Sequence, residues 1–273
     1  MNSLEKTVKG LRGKLNLTSD APLVKALRPA YDFVLERRYG RQGISRVING
    51  DEEIHVLPEH RYIHEDYETP VYNYLKERVR PGDVILDVGA HVGIFTILLA
   101  RWTGPTGRVF AFEPTPVTFA ALSEHLTLNG VAERVTPVPC AVSDQPGTVN
   151  FYTISNSPEN TLNQRHTSLG EATGIQVQVR TIDEFCAEKE ITPALIKIDI
   201  EGFELHALRG ARETIARHKP LLVIEMHPMN WPDINLSPEQ VEAELAALGL
   251  RAVPLEQQRD PIREYGHVVL QTI

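Results

Sequence analysis

From residue 81 to the end of the chain, continuous apolar runs take turns with segments in which apolar residues recur at helical spacing. Apolar runs around residues 84–88, 109–112, 193–198 and 221–224 are typical of strands that are buried on both faces. Between these runs, apolar residues recur at helical spacing, as they do in the segment that follows Gly93. The alternation of strands with helices predicts an α/β fold with a doubly wound, mostly parallel sheet.

The segment from Asp83 to Thr96 combines a strand, a tight turn and the start of a helix. Asp87 lies at the carboxyl end of the strand, and Gly89 and Gly93 follow it. Ligands of doubly wound sheets bind at this edge. The spacing D-x-G-x-x-x-G differs from the G-x-G-x-x-G of dinucleotide-binding proteins, and a carboxylate would repel a pyrophosphate. Asp87 therefore favours a positively charged ligand such as S-adenosylmethionine, which carries a sulfonium and an ammonium group.

A second acidic residue, Glu113, ends the next apolar strand, twenty positions after Gly93. An acidic residue at this place is the expected partner of ribose hydroxyl groups. Asp87 and Glu113 together predict a mononucleotide-type site. The alternative is that both carboxylates only cap turns.

Several motifs resemble those of the FkbM family of O-methyltransferases, which belongs to the class I S-adenosylmethionine-dependent methyltransferases. They are Leu86-Asp87-Val88-Gly89-Ala90-His91-Val92-Gly93, Phe112-Glu113-Pro114, Asn129, Ala141-Val142-Ser143-Asp144, Ile196-Lys197-Ile198-Asp199-Ile200-Glu201-Gly202-Phe203-Glu204, and the segment from Pro220 to Glu225-Met226-His227. The block from Asp199 to Glu204 is the most specific of these, whereas the glycine motif marks the whole superfamily. The resemblance covers residues 65–230. The family more often has Asn where His91 stands.

The resemblance implies a Rossmann-like methyltransferase domain with a mostly parallel seven-stranded sheet and an antiparallel last strand. It also implies S-adenosylmethionine as the cofactor. The residues expected to bind the cofactor are Asp87, Gly89, Ala90, His91, Gly93, Glu113, Pro114, Cys140, Ala141 and Asp199. Of these, Cys140 and Ala141 would meet the adenine ring, although small or apolar residues equally suit plain burial.

The resemblance further implies a hydroxyl acceptor on a small molecule or glycan, such as a sugar, a macrolide or another secondary metabolite. The candidate catalytic residues lie at the ends of the fourth and fifth strands and are Asp199, Glu201, Glu225 and His227. An alcohol must lose its proton near the transition state, and His227 has a suitable unperturbed pKa for a base. A structural role is the alternative for this single histidine.

Two neighbouring carboxylates, Asp199 and Glu201, would cost solvation energy at a buried strand end unless a cation compensates them. That cation could be the acceptor, the cofactor ammonium, Lys197 or a divalent metal, of which Mg²⁺ or Mn²⁺ suits oxygen ligands best. The sequence has no spacing motif for a metal site. We therefore predict no metal site, with Mg²⁺ as an alternative that lacks a motif.

Residues 1–80 are predicted to form an N-terminal cap of helices and a hairpin, and residues 81–273 the S-adenosylmethionine-binding domain. The hairpin is predicted from Asn49-Gly50, because both residues favour positive φ. We expect the cap to pack near the carboxyl ends of the strands and to shape the acceptor pocket. Glu68, just before the last predicted helix of the cap, matches an acidic position of the resembled family.

Four local predictions concern the rest of the chain. One strand is predicted from Arg134 to Val142, and one helix from Phe203 to His218. A polar loop from Ser155 to Gly174 is long enough for a functional lid or a disordered segment, and we assign it to the acceptor side. Ser237, Pro238 and Gln240 predict a helix that starts with a capping box.

The composition excludes some classes of function. The chain has 273 residues, a net charge of -8 and no long run of Lys or Arg, so nucleic acid is not an expected partner. It has neither the apolar region of a signal peptide nor an apolar run of membrane-spanning length, so no membrane association is expected. Cys140 and Cys186 are far apart, which suits buried thiols in a reducing cytoplasm. A homodimer is an option that the sequence leaves open.

Two alternatives stay open at this point. An NAD-dependent oxidoreductase could use the same sheet, but Asp87 and the missing G-x-G-x-x-G count against it. A non-catalytic Rossmann-like binding module would keep the fold and bind a partner, but the acidic residues at the four strand ends count against this.

Overall fold

A computed structural model of the chain describes Gly10, Lys14, Thr18 and residues 21–153 and 173–273. The helices are α1 (Pro22–Tyr39), α2 (Thr69–Arg78), α3 (Ile94–Trp102), α4 (Pro116–Leu128), α5 (Ile182–Lys189), α6 (Glu204–Arg209), α7 (Arg212–His218) and α8 (Pro238–Ala247). The strands are β1 (Ile44–Ile48), β2 (Glu52–Val56), β3 (Val84–Val88), β4 (Arg108–Phe112), β5 (Val135–Val138), β6 (Ala141–Val142), β7 (Gly147–Thr153), β8 (Thr173–Arg180), β9 (Leu195–Ile198), β10 (Leu221–Met226), β11 (Leu250–Pro254) and β12 (Gly266–Thr272). Short 3-10 turns occupy Pro58–His60, Ala132–Arg134 and Trp231–Ile234.

The main sheet has seven strands in the order β11-β12-β10-β9-β3-β4-β5. Strand β12 runs antiparallel to both of its neighbours, and the other neighbouring pairs are parallel. The predicted mostly parallel sheet with an antiparallel last strand is therefore confirmed. After β3 the chain adds β4 and β5 on one side, and later β9 and β10 on the other. The carboxyl ends of β3 and β9 thus flank the switch point, where doubly wound sheets bind ligands.

Strand β3 shows why the apolar runs are continuous. Ile85 packs into the hydrophobic cluster that includes most of α3, whereas Leu86 and Val88 pack into the cluster on the opposite face of the sheet. Because neighbouring side chains point to opposite faces, a strand covered on both faces needs apolar residues at almost every position. Asp87 is the exception, because it is a charged residue that is buried in the middle of the sheet.

The hairpin of β1 and β2 forms as predicted around Asn49 and Gly50, whose φ angles are 51° and 73°. Asn129, at the end of α4, binds the hairpin. Its side-chain amide donates to the carbonyl of His55 over 2.7 Å and accepts from the His55 amide over 2.9 Å. The hairpin therefore shares its core with the α3 side of the sheet. The boundary near residue 80 stays a prediction.

Two local predictions are wrong in detail. The predicted strand from Arg134 to Val142 is two strands, because β5 joins the main sheet and β6 pairs with β8 in a small sheet with β7. The predicted helix from Phe203 to His218 is interrupted between α6 and α7, where Gly210 packs against Ser143. A Cβ on Gly210 would lie 2.2 Å from the Ser143 carbonyl oxygen, so close packing breaks the helix there.

The predicted polar loop lies outside the described residues except at its end, where β8 already begins at Thr173. The predicted capping box of α8 is present, with Ser237 and Gln240 bonded reciprocally. Among the helices of the described ranges, none combines the length and hydropathy that a bilayer crossing requires.

Candidate active site

A cavity of about 190 Å³ opens at the carboxyl edge of β3, β4 and β9. It is lined by every residue expected to bind a cofactor, namely Asp87, Gly89, Ala90, His91, Gly93, Glu113, Pro114, Cys140, Ala141 and Asp199. Of the candidate catalytic residues, Glu201 and Glu225 also line it, whereas His227 lies directly behind them. The fold therefore brings the acidic residues at the strand ends together around one cavity.

The two glycines of the turn after β3 are required by close packing within the chain. Gly89 has a φ of 85°, and a Cβ there would lie 1.8 Å from the carbonyl oxygen of Asp199. Gly93 has a φ of 89°, and its Cβ would lie 2.4 Å from Leu122 Cδ1. These positions exclude side chains on steric and conformational grounds. The β3 turn can therefore sit directly against the end of β9.

Asp87 is 1% exposed and keeps one oxygen without a protein donor. The Thr96 hydroxyl donates to Oδ2 over 2.6 Å, whereas Oδ1 has no hydrogen-bond partner within the described part of the chain. Burial raises the pKa of Asp87, and the charge of Lys197 opposes the rise. An unpaired buried carboxylate oxygen at the cavity wall fits a ligand ammonium group.

Glu113 is fixed by the backbone of two neighbouring turns. Its Oε2 accepts from the His91 amide over 3.1 Å, and its Oε1 accepts from the Thr115 amide over 2.8 Å. Burial outweighs these hydrogen bonds and raises the pKa of Glu113 to about 7. Each carboxyl oxygen keeps a lone pair for a further donor, which fits the two hydroxyl groups of a ribose.

The wall beyond Glu113 is apolar. Cys140 and Ala141 are both buried and line the cavity. Burial raises the pKa of the Cys140 thiol to about 11, so the group is neutral at physiological pH. Neither Cys140 nor Cys186 forms a disulfide, and both are buried. This wall fits the face of an aromatic base.

At the other end of the cavity, Lys197 compensates the charge of Asp199. The two side chains lie 3.1 Å apart, and the Lys197 ammonium also lies 5.1 Å from the centre of the Phe95 ring. Burial disfavours charge on Lys197, but Asp199 and neighbouring carboxylates hold its pKa above its usual range. Burial raises the pKa of Asp199, and Lys197 opposes that rise.

His227 lies among three carboxylates. Its Nδ1 is 2.8 Å from Glu204 Oε1. Its Nε2 is 3.4 Å from Glu201 Oε2 and 3.9 Å from Glu225 Oε1. Burial lowers the pKa of His227, but the bond with Glu204 and the surrounding charges outweigh it and raise the pKa to about 9. The imidazole ring is therefore protonated at neutral pH.

Glu204 fixes His227 from the side away from the cavity. Glu204 is 1% exposed, and it accepts from the Gly202 amide over 2.7 Å and from the Trp231 indole over 3.3 Å. These donors hold its carboxylate in place, so His227 Nε2 is directed toward Glu201.

Glu201 stands on a turn that only a few residue types tolerate. Its own φ is 54°, and that of Gly202 is 106°. The side-chain amide of Asn230 donates to the Glu201 carbonyl over 3.1 Å. A Cβ on Gly202 would lie 2.7 Å from the Asn230 Cβ. Left-handed backbone at a non-glycine residue often marks a functional site. Burial, partly opposed by His227, raises the pKa of Glu201 to about 7, while 28% of its side chain stays exposed.

Glu225 connects this site to a second imidazole. His267 lies opposite Glu225 in the β10–β12 pairing, with its Nε2 3.6 Å from Glu225 Oε2 and 3.1 Å from Glu68 Oε2. Its Nδ1 is 2.9 Å from Glu256 Oε1, and the Tyr265 hydroxyl donates to Glu225. Burial lowers the pKa of His267, but Glu225 and Glu68 raise it to about 10. For Glu225, burial raises the pKa, but His267 and other partners lower it to about 2.

One group of side chains has the composition of a metal site. Asp199, Glu201 and His227 each offer a ligand atom within 4.8 Å of the others. Lys197 already compensates Asp199, and the protonated His227 compensates Glu201. A metal would have to displace the proton of His227 to bind there.

Sequence analysis did not identify Glu204, Glu256, Tyr265 and His267 as site residues. Two signals could have revealed some of them. Glu204 lies within the most specific motif block, and His267 pairs with Glu225 once the last strand is aligned antiparallel to β10. Nothing in the sequence pattern indicates Glu256 or Tyr265.

Comparison with known proteins decides the family. The sequence of residues 87–252 matches the protein-family model described as the methyltransferase FkbM domain. The chain belongs to the FkbM methyltransferase family. The cavity residues from Asp87 to Glu225 fall inside this match, whereas Glu68, Glu256 and His267 fall outside it.

Curated relatives of this FkbM-family chain differ in their acceptors. The 31-O-demethyl-FK506 methyltransferase FkbM of Streptomyces tacrolimicus is 32% identical, over 69% of this chain and 80% of that protein. The hexuronic acid methyltransferase AglP of Haloferax volcanii is 28% identical, over 59% of this chain and 62% of that protein. The methyltransferase sdnD of Sordaria araneosa is 27% identical, over 60% of this chain and 72% of that protein.

Proposed function

We propose that this chain transfers a methyl group from S-adenosylmethionine to a hydroxyl group of a small molecule or glycan. The observation that carries this proposal is the pairing of Glu201, whose pKa is about 7, with a protonated His227 at one end of the cavity. A carboxylate with a pKa near neutrality is suited to remove a proton from an alcohol. The acceptor classes in the names of the relatives, an FK506 derivative and a hexuronic acid, fit this range of substrates.

The residues at the other end of the cavity fit the proposed cofactor. S-adenosylmethionine would supply a methyl group on a positively charged sulfur. Asp87 would accept from its ammonium group, Glu113 would accept from the ribose hydroxyls, and Cys140 and Ala141 would lie against the adenine. The unpaired Oδ1 of Asp87 supports this arrangement, because a buried carboxylate oxygen needs a donor.

The chain's own groups divide the work at the acceptor end. The acceptor hydroxyl loses its proton to Glu201 as its oxygen gains the methyl group, and Glu201 then releases the proton to solvent through its exposed edge. His227 is already protonated, so we assign it to holding Glu201 in place rather than to accepting the proton. Asp199, held by Lys197, would orient the acceptor, and Glu225 would fix the position of His227.

The membership of the FkbM family replaces the oxidoreductase alternative. The remaining alternative is a non-catalytic binding module. To distinguish it from an enzyme, both cofactor binding and turnover must be measured, because such a module could bind the cofactor without transferring a methyl group.

The proposal is tested by calorimetric titration with S-adenosylhomocysteine, with NAD titrated in parallel. The expected result is binding of S-adenosylhomocysteine alone, followed by methyl transfer from radiolabelled S-adenosylmethionine to a member of a panel of sugars and macrolide alcohols. Binding of NAD alone would contradict the proposal. Cofactor binding with a carboxyl or amine as the only methylated group would contradict the hydroxyl assignment.

A further inference from the structure

The side chains that line the acceptor end of the cavity, together with those in contact with them, include more carboxylates than cations. The carboxylates are Glu68, Asp199, Glu201, Glu204, Glu225 and Glu256, and the cations among them are Lys197, His227 and His267. They come from the end of the N-terminal segment, from the β9 and β10 ends, and from the β11–β12 hairpin. Folding therefore concentrates negative charge where the acceptor must bind.

Each of these cations already has its own carboxylate. Lys197 lies 3.1 Å from Asp199. His227 lies between Glu204 and Glu201, and His267 lies among three further carboxylates. Among the described residues that line the cavity, Lys197 is the only lysine or arginine. An acceptor carboxylate would therefore find no unpaired cation on this lining, and it would be repelled by the surplus of negative charge.

A second observation, at the opposite end, points the same way. Asp87 is buried, lines the same cavity, and leaves Oδ1 without a donor. The cavity thus presents carboxylate oxygens at both ends, and the proposed cofactor uses only those at the Asp87 end, so the carboxylates of the acceptor end remain for an acceptor with hydrogen-bond donors or positive charge.

The outer part of this charge arrangement lies outside the matched domain. Glu68, Glu256 and His267 all lie outside residues 87–252. Glu68 follows Tyr67, which lines the cavity, and its carboxylate contacts His267 over 3.1 Å. Family members that share the catalytic motifs can therefore differ at Glu256 and His267, whereas an acidic residue at the place of Glu68 is also expected in the family.

We propose that the surplus of carboxylates around Glu201, Glu225 and Glu68 selects the acceptor by charge, so that the methylated hydroxyl belongs to a neutral or amine-bearing molecule and not to a sugar acid. The inference rests on the proposed function and refines it. It sets this chain apart from its relative named for hexuronic acid. The residues that would set the preference are Glu68 and Glu256, because they add negative charge without contacting the cofactor residues.

The first experiment tests, without an acceptor, whether the place where the methyl group is transferred favours a positively charged group. Calorimetry compares S-adenosylhomocysteine with sinefungin, which carries an amine where the sulfonium methyl group would be. Sinefungin should bind at least about tenfold more tightly, because its amine reaches toward the carboxyl groups of Asp199 and Glu201. In Glu201→Gln the ratio should fall at least about threefold, with unchanged affinity for S-adenosylhomocysteine. The exposed Glu133→Gln serves as the matched control and should keep the ratio.

The second experiment compares methyl transfer to three matched sugars: a methyl glucoside, the corresponding glucuronide and the corresponding glucosaminide. The glucuronide should react at least about tenfold more slowly than the faster of the other two. The double variant Glu68→Gln with Glu256→Gln should reduce this discrimination, whereas Glu133→Gln should preserve it.

The outcomes separate the two levels of the account. If neither adenosyl ligand binds, the proposed function fails and the inference fails with it. If S-adenosylhomocysteine binds but sinefungin binds no more tightly, the inference is overturned while the proposed function stands. A glucuronide that reacts fastest overturns it as well. If none of the three sugars reacts, the alcohol that the acceptor panel identifies is compared in the same way with its carboxylic acid analogue, and a faster acid overturns the inference.

Discussion

The two ends of the cavity are built in different ways. The end proposed for the cofactor consists of a glycine turn and single acids at strand ends, and the backbone fixes it, as the His91 and Thr115 amides fix Glu113. The end proposed for the acceptor is a network of ion pairs between distant segments, in which His267 joins Glu68 to Glu225. The first end is defined by backbone shape and the second by charge. Changes should therefore affect affinity or folding at the first end, and turnover and pH dependence at the second.

The largest effect is expected for Glu201→Gln at the charged end. Removing a general base lowers turnover by about 10²–10⁴-fold, because the amide cannot accept the hydroxyl proton. Affinity for S-adenosylhomocysteine should not change. Single-turnover transfer of radiolabelled methyl and calorimetry measure the two quantities. Turnover within a few fold of the unmodified chain would remove Glu201 as the base.

At the end that the backbone defines, a substitution should lower the stability of the fold rather than turnover alone. Gly89→Ala places a Cβ 1.8 Å from the Asp199 carbonyl oxygen and strains a φ of 85°. We expect the free energy of unfolding to fall by more than about 3 kcal/mol. The matched control is Gly130→Ala, which has a φ of 66° and open space around it, and which should cost about 1–2 kcal/mol. Urea unfolding followed by circular dichroism compares the two, and equal losses would refute the steric argument.

The pH dependence of single-turnover rates at saturating cofactor should report the charged end, because Glu113, whose pKa is also about 7, would act on cofactor binding. Below its pKa of about 7, Glu201 is protonated and cannot accept a proton, so the rate should rise with pH, by about fiftyfold between pH 5 and 7. Above the His227 pKa of about 9 the imidazolium is lost, and the rate should fall again. A bell-shaped profile of single-turnover rates is the expected result. A flat profile from pH 5 to 8 would contradict it.

A smaller effect is expected for Glu113→Ala at the cofactor end. Loss of hydrogen bonds between a carboxylate and the ribose hydroxyls should weaken cofactor binding by roughly 10- to 100-fold. The pH profile should keep its shape, since the groups of the acceptor end are unchanged. Calorimetry with S-adenosylhomocysteine provides the number, and unchanged affinity would end the ribose assignment.

The smallest effect is expected for chelation. Lys197 and the protonated His227 already compensate Asp199 and Glu201, so treatment with EDTA should leave turnover within about twofold. Restoration of a lost activity by Mg²⁺ or Mn²⁺ would show instead that the three clustered side chains hold a metal.

The same contrast explains how far the sequence could be interpreted. The strand, the turn and Asp87 are adjacent in sequence, so their spacing predicted a doubly wound sheet and the edge of it that carries the cavity, whereas the seven-stranded order came from the family resemblance. The break at Gly210 was not predictable in this way, because it depends on contact with Ser143 from a distant segment. Local pattern thus sufficed where local contacts dominate.

The pKa of His227 is a property that the sequence pattern did not predict. Its unperturbed pKa made it a candidate base, and no sequence pattern indicates that three carboxylates surround it. The shift to about 9 arises from those contacts and gives the ring a different proposed role. Its assignment, like that of the other site residues, stays a prediction until the protonation state is measured.

The protonation of His227 is the central claim that can be measured without knowing the acceptor. ¹⁵N NMR of the histidine rings, assigned with His227→Asn, follows its titration directly. The account predicts an imidazolium that persists to pH 8 and loses its proton at about pH 9. A midpoint near the ordinary 6.5 would contradict it, because the ring would then be neutral at physiological pH and would itself be able to act as the base.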